Sequence, residues 1–204
     1  MPYIGRNLSF TLAAMTNLLL IRHSMPAWGS HAPPSKWILT ERGRELSKVL
    51  GKYLKERQVG LIFASTEVKT VETAEIAAEV ARISNVVQDH DLREHDRDNT
   101  PTPVGADRQS LVIECIRKPG QLIWGSETVA TARNRFGNAV VRLLENVQDE
   151  ETVAIVAHGT VITTFVGEQL GIDPFPIWKS MGTPWLIEIE WPNPTEILDQ
   201  RLFE

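Results

Sequence analysis

Leu18-Leu-Leu-Ile-Arg-His-Ser24 is an apolar run broken off by a cation and a histidine, and Thr152-Val-Ala-Ile-Val-Ala-His-Gly159 repeats that design late in the chain. Short unbroken apolar runs of this kind read as strands buried on both faces, as in a parallel sheet. Thr40 opens a helix that carries Leu46, Val49, Leu50, Tyr53 and Leu54 at spacings of three and four. Leu61-Ile-Phe63 is a second buried strand, Ser65 or Thr66 caps a helix running to about Arg82, and Val86-Val87 is a short third strand. Glu127–Val147 is amphipathic, with Val129, Phe136, Val140 and Leu144 on one face. A helix from about Thr160 to Leu170 is stopped by Gly171, and Trp185-Leu-Ile-Glu-Ile-Glu-Trp191 alternates with period two and pairs with Glu196–Phe203. Strands alternating with helices predict an α/β fold, a three-layer α/β/α sandwich with a mostly parallel central sheet.

Residues 88–126 have a different texture. A dense polar cluster (Asp89, His90, Asp91, Glu94, His95, Asp96, Arg97, Asp98) precedes a loop with Pro101 and Pro103 and a short helical stretch, Leu111-Val-Ile113. This segment reads as a small helical and loop cap inserted over one end of the sheet. The rest of residues 17–204 forms a single domain, and residues 1–16 form an arm dispensable to it.

The 204 residues are 42% hydrophobic, and 21 Lys and Arg against 26 Asp and Glu leave a net charge of −5. A chain of that size and apolar content buries a real core without disulfides or metal. Its acidity argues against a nucleic-acid partner or a polybasic membrane-surface role. No apolar run is long enough to span a membrane, and Leu8–Met15 is a poor match to a signal peptide. The single cysteine, Cys115, reads as a structural thiol in a reducing compartment, and the expected location is cytoplasmic. The Trp185–Trp191 strand, if it lies at an edge, offers a surface for a homodimer.

In parallel sheets ligands bind beyond the carboxyl ends of the strands. Two strands end there in His23 and His158, the first with Arg22 beside it, and the strand Leu61–Phe63 delivers Lys69 into the first turn of the following helix. Arg22, Lys69 and a helix N-terminus around two imidazoles describe a site for a dianionic phosphoryl group.

With these residues in view, the chain resembles the histidine phosphatase superfamily, the phosphoglycerate mutase-like proteins. The matching pieces are Leu18–Ser24, Leu39-Thr-Glu-Arg-Gly43, Ser65…Lys69…Thr73-Ala74, Leu92-Arg-Glu94, Gly125-Ser-Glu-Thr128 and Val153–Gly159. They stand in the family's order over most of the chain. Four departures accompany them. Ser24 replaces the usual glycine after the first histidine, and Lys69 replaces a second phosphate-binding arginine. An asparagine usual a few residues after the first histidine is missing, with Gly29 near that place, and His95-Asp-Arg-Asp-Asn-Thr-Pro101 replaces an aromatic-acidic segment.

The resemblance implies a phosphatase acting on a small phosphomonoester through a phosphohistidine on His23, without metal or other cofactor. Arg22, Lys69 and His158 would hold the phosphoryl oxygens, and Glu94 would be the acid and base, with Asp96 or Asp91 as substitutes. Arg93 would support the substrate or the carboxylate. Two other readings stand beside it: phosphoglycerate mutase-type transfer, and a catalytically weak phospho-ligand binder, the latter motivated by Lys69 and the missing asparagine. A metal site built from His90, His95 and the neighbouring aspartates is disfavoured, because the residues crowd one loop without metal-ligand spacing. Glu127 is expected to cap its helix and face solvent. Trp28, Trp37 and Trp124 flank the inferred mouth.

Overall fold

The computed structural model describes residues 16–28, 32–100, 105–145, 147 and 152–204. The N-terminal arm before Thr16, Gly29, Pro101 and Pro103 lie outside the described residues. In chain order the elements are β1 (Thr16–Arg22), α1 (Glu41–Glu56), β2 (Leu61–Ser65), α2 (Val68–Ala81), β3 (Val86–Asp89), α3 (Gly105–Arg117), α4 (Val129–Leu144), β4 (Thr152–Ala157), α5 (Gly159–Leu170), α6 (Pro174–Ser180), β5 (Trp185–Trp191) and β6 (Asp199–Leu202). The strands form one six-stranded sheet in the order β3-β2-β4-β1-β5-β6. The first four run parallel, while β5 and β6 are antiparallel additions.

Alternation along the buried strands sorts the core into two layers. Leu18 and Leu20 of β1 face α4 and α5 and join Phe136, Val140, Ile162 and Phe165. Leu19 and Ile21 face the other way, onto Leu50 and Leu54 of α1 and the alanines of α2. Each such side chain stabilises the fold by roughly 1.5–3 kcal/mol relative to exposure. Helix α5 is apolar nearly all round and is buried accordingly. Its Thr163 and Thr164 hydroxyls donate to the Gly159 and Thr160 carbonyls at 2.7 Å each, so no polar atom is stranded there.

Several local expectations shift. Neither Ser65 nor Thr66 caps α2, whose N-cap is Glu67 without a side-chain cap bond, because the two hydroxyls pair with His158 and His90 instead. Strand β3 runs on to Asp89, so the sheet claims the first residues assigned to the insertion. The Glu127–Val147 helix is shorter at both ends, with Thr128 as N-cap. Strand β5 is not an edge: β6 pairs with its outer side, and Trp185–Ile189 are buried throughout. Glu188, inside that stretch, is neutralised by a bidentate pair with Arg57 at the end of α1.

Helices α1 and α2 approach closely because small residues line the contact. A Cβ on Gly51 would lie 2.6 Å from the Ala77 carbonyl oxygen and 2.8 Å from Val80 Cβ. Alanine's better helix propensity, about 1 kcal/mol, offsets part of an overpacking cost of about 1–3 kcal/mol. Gly51→Ala is therefore expected to lower stability by up to about 2 kcal/mol in urea unfolding. Gly120→Ala, which meets no atom within 4 Å, should stay within about 0.5 kcal/mol. Equal stability of the two variants would show that the helices part freely.

Candidate active site

Strands β1 and β4 are parallel neighbours with Arg22 beside Ala157, so the next residue on each is a histidine at the same height. The His23 N–H donates to the Ala157 carbonyl at 3.0 Å and extends the ladder by one bond. The two imidazoles meet edge to face, centroids 5.4 Å apart and planes at 62°. Helix α1 follows β1 onto one face and α5 follows β4 onto the other. The crevice between these strands is therefore a topological switch point, where open α/β sheets take ligands. A cavity of about 460 Å³ opens there.

His23 Nδ1 lies 2.7 Å from the Ser24 carbonyl oxygen. A carbonyl only accepts, so Nδ1 carries the hydrogen and Nε2 keeps its lone pair. Ser24 is itself pinned, its N–H donating to Thr73 Oγ1 at 3.0 Å and its hydroxyl to the Gly43 carbonyl at 2.7 Å. A Cβ on Gly43 would fall 2.3 Å from the Met25 oxygen, which is why glycine stands there. The Thr40–Gly43 and Thr73-Ala74 motifs thus act together to hold the carbonyl that orients His23. Burial first, then the Lys69 charge and His158, push the His23 pKa well below the usual imidazole value. His158 is displaced the same way by burial and Lys69. Both rings are neutral at pH 7. His158 Nε2 shares a hydrogen bond with Ser65 Oγ at 2.9 Å, and its buried Nδ1 has no partner.

Arg22 is held by two bonds from Nη1, to the Met181 and Gly182 carbonyls at 3.2 Å each, while its buried Nε has no partner. Burial lowers its pKa to about 10, with Glu94 opposing the shift and Arg97 adding to it. The Lys69 ammonium donates to the Pro34 carbonyl at 2.8 Å and to Glu67. An ammonium has three donors, so one is left for a ligand.

Glu94 lines the same cavity, but as an anchored carboxylate. It accepts from the N–H groups of Thr160 and Val161 at 3.1 and 3.3 Å, in the first turn of α5, and from its neighbour His95 at 2.9 Å. Arg97 pairs with it at 3.2 Å. Burial alone would raise this carboxyl, yet Arg97, His158 and the backbone donors hold it at about 2. Of the substitutes, Asp96 lines the cavity, whereas Asp91 pairs with Arg93 and Arg142 outside it. Arg93 reaches the rim of the cavity, its Nη1 donating to the His90 carbonyl and to Asp91.

Glu127 neither caps α4 nor faces solvent. Its carboxylate accepts from the Asp96 N–H at 3.0 Å and pairs with Arg135 at 2.7 Å. Arg135 donates in turn to the carbonyls of Asp91, Arg93 and Glu94. Together they brace the Glu94 loop from behind. His95 belongs to the brace through Nε2, which donates to the Glu127 carbonyl at 2.7 Å, while His90 turns to Thr66. Among the described residues, no three His, Cys, Asp or Glu side chains gather as a metal site. Trp28, Trp37 and Trp124 all line the cavity, and Trp37 is tied by its indole N–H to the Ala32 carbonyl at 2.9 Å.

Three participants escaped the sequence reading. Glu67 accepts from the Glu94 N–H at 2.8 Å, pairs with Lys69 and lies 3.4 Å from His158 Nε2. Arg97 and Arg108 add cations from the loop and from α3. Glu67 was legible only as the acidic neighbour of Lys69. Arg97 and Arg108 had no signal beyond lying in the insertion.

No curated relative matches the sequence significantly. Among solved structures, the native mycobacterial glucosyl-3-phosphoglycerate phosphatase is 21% identical with a TM-score of 0.70, covering 92% of this chain and 96% of its own. YhfR of Bacillus stearothermophilus is 24% identical with a TM-score of 0.68, over 90% and 95% of the two chains. An Entamoeba histolytica phosphoserine phosphatase mutant in complex with phosphoserine is 15% identical with a TM-score of 0.67, over 91% and 96%. At these identities the likeness is one of fold. The sequence model of the histidine phosphatase superfamily, branch 1, matches residues 18–191, from β1 to the end of β5. A match of that extent goes well beyond a shared Arg-His dipeptide, and the chain belongs to this superfamily.

Proposed function

We propose that the protein hydrolyses a small phosphomonoester through a phosphohistidine on His23. One observation carries this reading: a neutral imidazole whose Nδ1 hydrogen is committed to Ser24 O, leaving the Nε2 lone pair beside His158 and Arg22. His23 Nε2 attacks phosphorus in line, and the bond from phosphorus to the ester oxygen breaks. Arg22, Lys69 and His158 stabilise the charge on the equatorial oxygens. The departing oxygen takes a proton from Glu94, which has taken one up from solvent as the bound dianion raises its pKa. Water then attacks the phosphohistidine, gives a proton to Glu94, and releases His23 and inorganic phosphate. None of these steps calls on a metal ion. Two solved neighbours are named for phosphorylated small molecules, glucosyl-3-phosphoglycerate and phosphoserine, and another carries the name of a phosphohistidine phosphatase; the first two support the class of substrate proposed.

The reading is tested with p-nitrophenyl phosphate in EDTA. Turnover should persist under chelation, and His23→Ala should reduce it by about a thousandfold or more. Labelled substrate should leave an acid-labile, base-stable phosphoryl group on the parent protein and none on the variant. Metal-dependent turnover, or equal turnover without His23, would overturn the proposal. Isomerisation of phosphoglycerate without net phosphate release would replace hydrolysis by mutase transfer.

The displaced histidine pKa has its own consequence. A depressed pKa keeps the nucleophile neutral as pH falls through the range where a free imidazole protonates, near 6.5. In a 15N NMR titration His23 Nε2 should therefore still be unprotonated where a free imidazole is half charged, near pH 6.5. Protonation near 6.5 would show that the ring is not desolvated as the fold implies.

A further inference from the structure

Apart from Lys36, which is exposed, the cations around the cavity fall into two groups. Lys69 is matched by Glu67, Arg97 by Glu94 and Arg93 by Asp91. Arg22 and Arg108 have no carboxylate partner among the described residues, and each has a buried Nε without a hydrogen-bond acceptor. Arg22 stands at the strand ends with the two histidines, where the phosphoryl group is placed. Arg108 stands on α3, in the insertion, and lines the same cavity.

Arg108 is held there against its own electrostatics. Burial lowers its pKa to about 10, and Arg97 and Arg22 lower it further, with Glu94 opposing. A desolvated guanidinium without a counter-ion is a standing penalty unless a ligand supplies the anion. Its geometry suits that use. The guanidinium carbon lies 4.5 Å from the Trp28 ring centroid. Stacking occupies the face of the guanidinium, fixes its plane and leaves its N–H edges for a planar or tetrahedral acceptor. In the same wall, Trp124 stacks on Arg97 at 4.6 Å and its buried indole N–H has no acceptor, a second donor that a polar ligand would satisfy. The cavity, about 460 Å³, also exceeds what a lone phosphoryl group fills.

We infer that Arg108, stacked on Trp28, forms a second anion subsite, and that the substrate is a small phosphomonoester bearing a further carboxylate or phosphate. This rests on the phosphomonoesterase reading above: one anion goes to Arg22 and the histidines for transfer, the other to Arg108 for recognition. Arg108 makes no contact with the reacting phosphorus in this scheme and acts on specificity.

The test compares propyl phosphate, 3-phosphooxypropanoate and propane-1,3-diol bisphosphate, which share a chain and differ in the second group. With the full chain, kcat/KM for at least one doubly anionic ester should exceed that for propyl phosphate by tenfold or more. Which of the two is favoured tells a carboxylate subsite from a phosphate one. Arg108→Gln should reduce that preference at least fivefold, through KM more than kcat, and Arg108→Lys should restore part of it. A parent protein that treats the three esters alike, or an Arg108→Gln loss equal on all three, would overturn the subsite, the latter by placing Arg108 on the transferred phosphoryl group. If neither these esters nor p-nitrophenyl phosphate is turned over, the phosphatase reading fails by itself. Calorimetric binding of the same esters to the His23→Ala protein then reads the subsite directly, as the same tenfold preference or its absence.

Discussion

The parallel pairing of β1 with β4 is the constraint from which the site follows. Its register sets Arg22 against Ala157, and because successive residues of paired parallel strands rise together, His23 and His158 emerge side by side. No local sequence feature could bring them together; only the sheet does. A slip of one residue would turn Leu18 and Leu20 from the α4/α5 layer to the α1/α2 layer and carry the histidines apart. Burial of both sheet faces therefore protects the spacing of the imidazoles. The core's apolar alternation and the site's geometry are set by the same register.

Charge is then arranged so that His23, the proposed nucleophile, stays neutral while its surroundings stay cationic. Burial first, and then the nearby charges of Lys69 and Arg22, keep both histidines unprotonated. Two buried carboxylates restrain those cations: Glu67 holds Lys69, and Glu94 holds Arg97. Glu94 also fastens the insertion to the sheet, since its oxygens take two orphan N–H groups at the start of α5, directly after His158. The loop that carries the proposed acid and the strand that carries the second histidine are thus one hydrogen-bonded unit. Arg135 and Glu127 stiffen that unit from the side away from the cavity.

How much of this was legible depended on whether a residue's role is written locally. Buried parallel strands announce themselves by unbroken apolar runs, so Leu18–Ile21 and Thr152–Ala157 could be read along with the histidines that end them. Lys69 was legible from its place in the first turn after a strand. Glu94 was reached only through the family pattern, and its anchoring role not at all, because its partners at Thr160 and Val161 are remote in sequence. Glu127 looked like a solvated cap for the same reason: Arg135 lies eight positions away on α4 and Asp96 on another loop. The alternation of β5 suggested a strand with one polar face, but Arg57 neutralises Glu188 and allows the strand to be buried on both.

A net charge of −5 and a pocket built from arginines are consistent, and the combination has a physical consequence. Far from the molecule the acidic surface governs, and it repels extended polyanions at any orientation. Near the strand ends the desolvated guanidiniums and the Lys69 ammonium dominate, within a low-dielectric wall where their field is least screened. A ligand small enough to enter the cavity leaves the first field and meets the second. Size selects here together with charge: a compact anion can gain from the pocket what a polymer would lose at the surface. In the proposed recognition of a small phosphorylated molecule the acidic exterior takes part as much as the cations inside do.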